Sequence, residues 1–181
     1  MPRIPVHTVQ DAPEQARKTL DELGSKMGKV LNIHGEMAHS PVVLATYAAM
    51  QQAIAEHGSF DARTREAIAL TVGNQDRCDY CQSAHTLSAR KAGFSSEDTV
   101  AIRSGHLDSD AKLAALLTLA RQIAANIGEV DDVAWKQALD AGWRDTELAE
   151  LFAHVAANLY TNYFNHYAGT ELDIPAAPGL S

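Results

Sequence analysis

At 181 residues the chain is long enough for one domain with its own core, or for two small halves sharing one. Hydrophobic residues make up 46% and aromatics only 6%, which suits helices packed through small side chains and predicts an all-α protein. The net charge of -8 argues against nucleic acid or an anionic membrane as partner, because neither attracts an acidic surface.

No apolar run approaches the roughly 18 residues of a bilayer span. Met1-Pro2-Arg3-Ile4-Pro5 lacks the apolar core of a signal peptide, so a cytoplasmic protein is expected. Residues 1–10 carry Pro2 and Pro5 without a helical period and read as an extended arm. Ala16, Leu20, Leu23 and Met27 predict a helix, broken at Gly24 and followed by a second short helix to about Ile33. Ser40 and Pro41 suit the cap and first position of a helix running to His57 and stopped by Gly58. His34, His39 and His57 are expected to cap helix ends or to face solvent.

Asp61 caps the next helix, expected to end at Gly73 before a polar turn at Asn74-Gln75-Asp76. A helix from about Tyr80 to Lys91 stops at Gly93, and Ser95 starts a short one ending near Gly105. Asp110 caps a run to Asn126, Asp131-Asp132 opens a helix to Leu139, and Asp145 caps the last, about Thr146 to Ala168. On that last helix Leu148, Leu151, Phe152, Val155, Leu159 and Tyr163 form one stripe. His154, Asn158, Asn162 and Asn165 form another, expected to satisfy buried or intersubunit hydrogen bonds. The tail from Asp173 to Pro178 reads as extended and is expected on another surface, such as a neighbouring subunit.

Sliding the chain by 49 positions lays Asp61-Ala62-Arg63 on Asp110-Ala111-Lys112 and Ala92-Gly93-Phe94 on Ala141-Gly142-Trp143. Segments 61–102 and 110–151 of a single domain are therefore expected to be two copies of a three-helix unit. The second copy is degenerate: Glu66 falls on Ala115, Cys78 on Ile127, Cys81 on Val130 and His85 on Ala134.

Those four residues carry the candidate chemistry. Both cysteines of the chain lie within Cys78-Asp79-Tyr80-Cys81. A disulfide closing so short a loop adds only roughly 2 kcal/mol, against about 4.7 for a 100-residue loop, so redox or metal chemistry is a better account of the pair than stapling. Helix geometry puts Cys81 and His85 one turn apart on one face, where the imidazole can take the thiol proton. Cys81 also falls in the first turn of its helix, where unpaired N–H groups and the dipole favour a thiolate, making it the expected nucleophile. Cys78, at the loop edge, is placed to resolve a sulfenic acid. Glu66, on the preceding helix of an antiparallel hairpin, is a candidate to orient His85. Tyr80 is expected to hydrogen-bond substrate or close the pocket, with Asp79 facing solvent. Zinc is the rival, held by Cys78, Cys81 and His85 with Glu66 or His154 as fourth ligand, although a second Cys or His pair at ordinary spacing is missing. The same residues would also suit a disulfide exchanger acting on proteins, or a structural or ligand-binding helical module.

On Glu66, Cys78-Asp79-Tyr80-Cys81, His85 and the segment Thr161-Asn162-Tyr163-Phe164-Asn165-His166-Tyr167-Ala168-Gly169-Thr170-Glu171, the chain resembles the carboxymuconolactone decarboxylase-like superfamily, in its alkylhydroperoxidase D-like, peroxidase-related branch. The resemblance covers most of residues 25–175. It implies an all-α fold with a paired-helix repeat, a homo-oligomer that is commonly a trimer or hexamer, and cofactor-free, thiol-dependent reduction of hydroperoxides. By position, Cys81 resembles the peroxidatic cysteine, Cys78 the resolving one, and His85 with Glu66 the proton relay. In alkylhydroperoxidase D a dihydrolipoyl partner re-reduces the disulfide. Decarboxylase members lack the paired cysteines.

Overall fold

A computed structural model describes residues 2–180, and among them every regular element is an α-helix. These are α1 (Glu14–Met27), α2 (Asn32–Met37), α3 (Pro41–His57), α4 (Ala62–Gln75), α5 (Asp79–Lys91), α6 (Ser96–Ser104), α7 (Ala111–Ala125), α8 (Asp132–Asp140) and α9 (Asp145–Ala168). Five begin on a cap whose side chain accepts the N–H of the residue three further on, four of them as expected: Asp61 from Thr64, Ser95 from Asp98, Asp110 from Leu113 and Asp131 from Ala134; the fifth is Cys78. Glycines at positive φ end several helices. Gly93 (99°) and Gly142 (94°) each let the next residue, Phe94 or Trp143, return its N–H to the carbonyl five residues back, turning that aromatic inward.

Helix α4 is the hub. It packs against α5, α6, α7 and α9, and its Ala67, Ile68, Leu70 and Val72 are buried. Around it lies one apolar core, including Leu116, Leu119, Leu151 and Val155, with Phe60 and Trp143 meeting edge to face at 5.6 Å. A second core joins α1, α2 and α3 to the start of α5, and both cysteines belong to it, packed with Leu20, Leu31, Ile33 and Leu44. The N-terminal quarter of the chain thus roofs the cysteine pair.

Several expectations are corrected. Gly24 does not break α1, which continues to Met27 and stops at Gly28; Gly24 is buried, and a Cβ there would approach a Val30 methyl at 3.0 Å, so it serves packing. Helix α4 runs on through Asn74 and Gln75. Arg144 rather than Asp145 is the N-cap of α9, bracketed by the Glu147 carboxylate. Phe152 and Tyr163, placed on the apolar stripe, are 64% and 58% exposed: the buried face of α9 is narrower than the stripe and leaves both outside it. His34 is neither a cap nor solvated: it is buried, at 4% exposure. The tail lies on its own chain. Asp173 pairs with Lys29 at 2.9 Å, the Ala177 N–H donates to Ser83 Oγ, and Arg103 donates to the Pro178 carbonyl. The arm is also docked, its His7 N–H donating to the Gly35 carbonyl.

Candidate active site

The turn between α4 and α5 delivers the first cysteine. Arg77 takes the left-handed conformation (φ 54°), its N–H returns to Asn74 O, and the Cys78 N–H returns to Gly73 O at 2.9 Å. This is the two-bond closure of a helix C-terminus made without glycine. From α9, Asn162 donates to the Asp76 carboxylate, and His166 Nε2 donates to the Asp76 carbonyl. The turn is thereby fixed from two sides. Cys78 is then the N-cap of α5 and Cys81 lies in its first turn.

The two sulfurs form a disulfide across a Cα separation of 5.3 Å. The Cys81 N–H donates to Cys78 Sγ at 3.2 Å, so the free amide of the helix end serves Cys78, not the sulfur of Cys81 as helix position alone suggests. Cys81 Sγ accepts instead from the Asn165 side-chain amide at 3.2 Å, and the same amide reaches Cys78 Sγ at 3.6 Å. Sequence reasoning does not single out Asn165 for chemistry; its asparagine-rich stripe is visible in the sequence, its sulfur contacts are not. Both cysteines are buried, with Gly73 so close to the Cys81 backbone that an added Cβ would lie 3.4 Å from Cys81 Cβ.

Glu66 and His85 meet across the α4–α5 hairpin. Glu66 Oε2 lies 2.8 Å from His85 Nδ1, which places the ring proton on Nδ1 and leaves Nε2 for a reacting proton. Both line a cavity of about 350 Å³ between α1, α3, α4 and α9, with His34, Tyr47 and His154 on its walls. Burial pushes the Tyr47 hydroxyl up to about 12, with the Glu66 charge adding to it, and burial pushes His34 down to about 4. Both are neutral at physiological pH. His154 is lowered mainly by burial and reinforced by Arg65, against the opposing effect of Glu150, to which its Nε2 is bonded at 3.1 Å. Tyr80 corrects its expectation. It is buried, and its hydroxyl donates to Asp173 Oδ1 of the tail at 2.7 Å rather than facing this cavity. Asp79 faces solvent as expected. Among the described residues, no group of three or more His, Cys, Asp or Glu side chains is arranged to hold a metal.

The helix order and the cysteine pair can now be set beside known proteins. Residues 41–106 match the model of the carboxymuconolactone decarboxylase family. The alkylhydroperoxidase core of an uncharacterised peroxidase-related protein from Ralstonia eutropha JMP134 superposes with a TM-score of 0.84, covering 95% of this chain and 92% of that one at 22% identity. This is an alkylhydroperoxidase D-like fold. With the family match over residues 41–106, it supports the resemblance to the carboxymuconolactone decarboxylase-like superfamily. The same fold appears in a peroxidase-related protein from Silicibacter sp. TM1040 (TM-score 0.73, 18% identity, 89% and 86% of the two chains). It also appears in a cysteine-to-alanine variant of the debrominase Bmp8 in complex with 2,3,4-tribromopyrrole (TM-score 0.80, 15% identity, 94% and 91%). An uncharacterised Haemophilus influenzae protein is 47% identical over 49 residues, a match spanning 27% of this chain and 43% of that protein, under half its length. The fold is therefore shared by proteins named as peroxidase-related and by one named as a debrominase.

Proposed function

We propose that the chain is a thiol-dependent peroxidase. The observation that carries it is the Glu66 carboxylate seated on His85 Nδ1, one helical turn from a cysteine pair already at bonding distance. In the reduced protein His85 Nε2, held in position by Glu66, takes the Cys81 thiol proton, and the thiolate attacks the terminal oxygen of a hydroperoxide. The S–O bond forms, the O–O bond breaks, and the departing alkoxide takes that proton back from His85 Nε2. The Cys78 thiol then attacks the sulfenic sulfur; the S–S bond forms and the hydroxyl leaves with the Cys78 thiol proton as water. An external dithiol, of which a dihydrolipoyl group is one, returns two electrons and restores both thiols. The scheme needs no other cofactor.

The Cys78 sulfur accepting the Cys81 N–H supports the division of roles, since a stabilised Cys78 thiolate is a ready resolving group and the better leaving group when the disulfide is reduced. Segments 61–102 and 110–151 are taken as two copies of one unit, of which the first alone carries the four reactive side chains. Exposed Phe152 and Tyr167 on α9 and Val42 on α3 support a homo-oligomer. No helix among the described residues is long and apolar enough to cross a membrane, and free thiols in the working state suit the cytoplasm.

The test is a panel of hydroperoxides with dihydrolipoate as donor. Turnover is expected to be abolished by Cys81→Ser, and full turnover in that variant would sink the assignment. A second outcome has its own support in the shared fold with a debrominase. Two thiols can also supply the electrons that replace carbon-bound bromine by hydrogen, giving a disulfide and hydrogen bromide. Bromide release from a bromopyrrole, without peroxide turnover, would favour that chemistry. Direct exchange with a protein disulfide fits less well, because both sulfurs are buried.

A further inference from the structure

The 350 Å³ cavity beside His85 is near the lower bound of about 300 Å³ for small-molecule sites. Its apolar wall comes from Leu23, Met27 and Ile54, enough to hold an organic body, which hydrogen peroxide does not need. Its polar groups are unevenly charged. His34 and Tyr47 are neutral, and Glu66 is engaged by His85. The His34 ring is 4% exposed, and its Nδ1 has no hydrogen-bond partner in the protein.

Two cations complete the lining, Arg65 and Lys26. Neither side chain has a hydrogen-bond or ion-pair partner among the described residues, in a chain whose net charge is -8. Arg65 is half-buried; its charge acts on the Asp61 carboxylate at the N-cap of α4 and on His154, on the α9 wall. Glu66, the next residue of α4, turns toward α5 and His85. The two neighbours on α4 thus divide the cavity into a cationic side at α9 and a proton-transfer side at α5.

We propose that this cavity is an acid-binding site: it takes a compact organic carboxylate, with the carboxylate on Arg65 and the apolar body against Leu23, Met27 and Ile54. Under the peroxidase function, on which this part alone rests, the ligand is a hydroperoxide of a carboxylic acid, whose neutral –OOH end lies at His85, one helical turn from Cys81, which is not itself in the lining. Arg65 is then a specificity-determining residue rather than a catalytic one.

Two measurements test the site separately from the reaction. Equilibrium binding of octanoate and of octanol to the full chain carrying Cys81→Ser is expected to favour the acid by about 10-fold. Arg65→Gln should remove that preference and Arg65→Lys keep part of it. In steady-state turnover, Arg65→Gln should lower kcat/KM for a carboxylate-bearing hydroperoxide, through KM, by about that factor more than it lowers kcat/KM for tert-butyl hydroperoxide. Equal binding of acid and alcohol, or a preference that survives Arg65→Gln, overturns the acid site. Arg65-dependent octanoate binding in a protein that turns over no hydroperoxide upholds the acid site and overturns the peroxidase function instead.

Discussion

The side-chain amide of Asn165 donates to Cys81 Sγ at 3.2 Å, a bond from the last helix to the fifth. A hydrogen bond to a charged group is worth about 1.5–3 kcal/mol, and losing it leaves a buried thiolate less stable. Asn165→Ala is therefore expected to move the pH midpoint of Cys81 alkylation upward and to lower peroxidase kcat/KM at neutral pH by about tenfold or more. Stopped-flow alkylation of the reduced protein measures the first effect. An unchanged midpoint would mean the amide serves packing alone.

Glu66→Gln keeps the size of the side chain that meets His85 and removes its charge. General acid–base groups contribute about 10²–10⁴-fold, so His85→Gln should cost within that range and Glu66→Gln less. The double variant should be no worse than His85→Gln, because the carboxylate acts through the imidazole. Additive losses in kcat would show that the two residues work independently.

Tyr80→Phe deletes the hydroxyl that donates to Asp173 and leaves the ring in the core. The expected result is a loss of about 1.5–3 kcal/mol in stability, from the removed hydrogen bond to a charged carboxylate, with turnover within twofold of the parent. Denaturant unfolding and a steady-state assay on the same preparation check both halves. A hundredfold loss of turnover at unchanged stability would return Tyr80 to the reaction.

Glu150 sets an acid limit. Burial alone raises its pKa, but hydrogen bonds from Ser59, His154 and Phe60 outweigh that and lower it to about 2, from a usual 4.5. A lowered carboxylate contributes stability above its unfolded pKa and loses it as pH falls through the folded one. The contribution should be complete above about pH 5 and disappear between 4.5 and about 2. Glu150→Gln should be less stable at pH 7 and show a flatter acid limb in thermal melts across that window.

Gly35 admits the N-terminal arm. A Cβ there would sit 2.5 Å from a Val6 methyl and 2.6 Å from the His7 carbonyl. Gly35→Ala should detach the arm, seen as faster proteolysis ahead of residue 12, at a cost of about 1–3 kcal/mol. Unchanged cleavage would mean the arm shifts without leaving.

Helix ends are legible in the sequence wherever one side chain decides them, as at Asp61, Ser95, Asp110 and Asp131, since an N-cap bond spans three residues. The Glu66–His85 contact is legible for a related reason, a hairpin being a local object. Asn165 and the buried His34 are not. Each depends on which helix lies opposite, and a periodic stripe reports which face of a helix turns inward without saying what it meets. The destination of the tail fails likewise: an extended segment has no period, and its anchors, Lys29, Tyr80, Ser83 and Arg103, are scattered along the chain.

Cys78 and Cys81 are 1% and 3% exposed beneath α1 and α2. In the proposed thiol cycle a sulfur pair so covered would meet its reductant only when the cover opens locally. Cover and chemistry would then act in series, and the frequency of opening would set a ceiling on re-reduction however abundant the reductant.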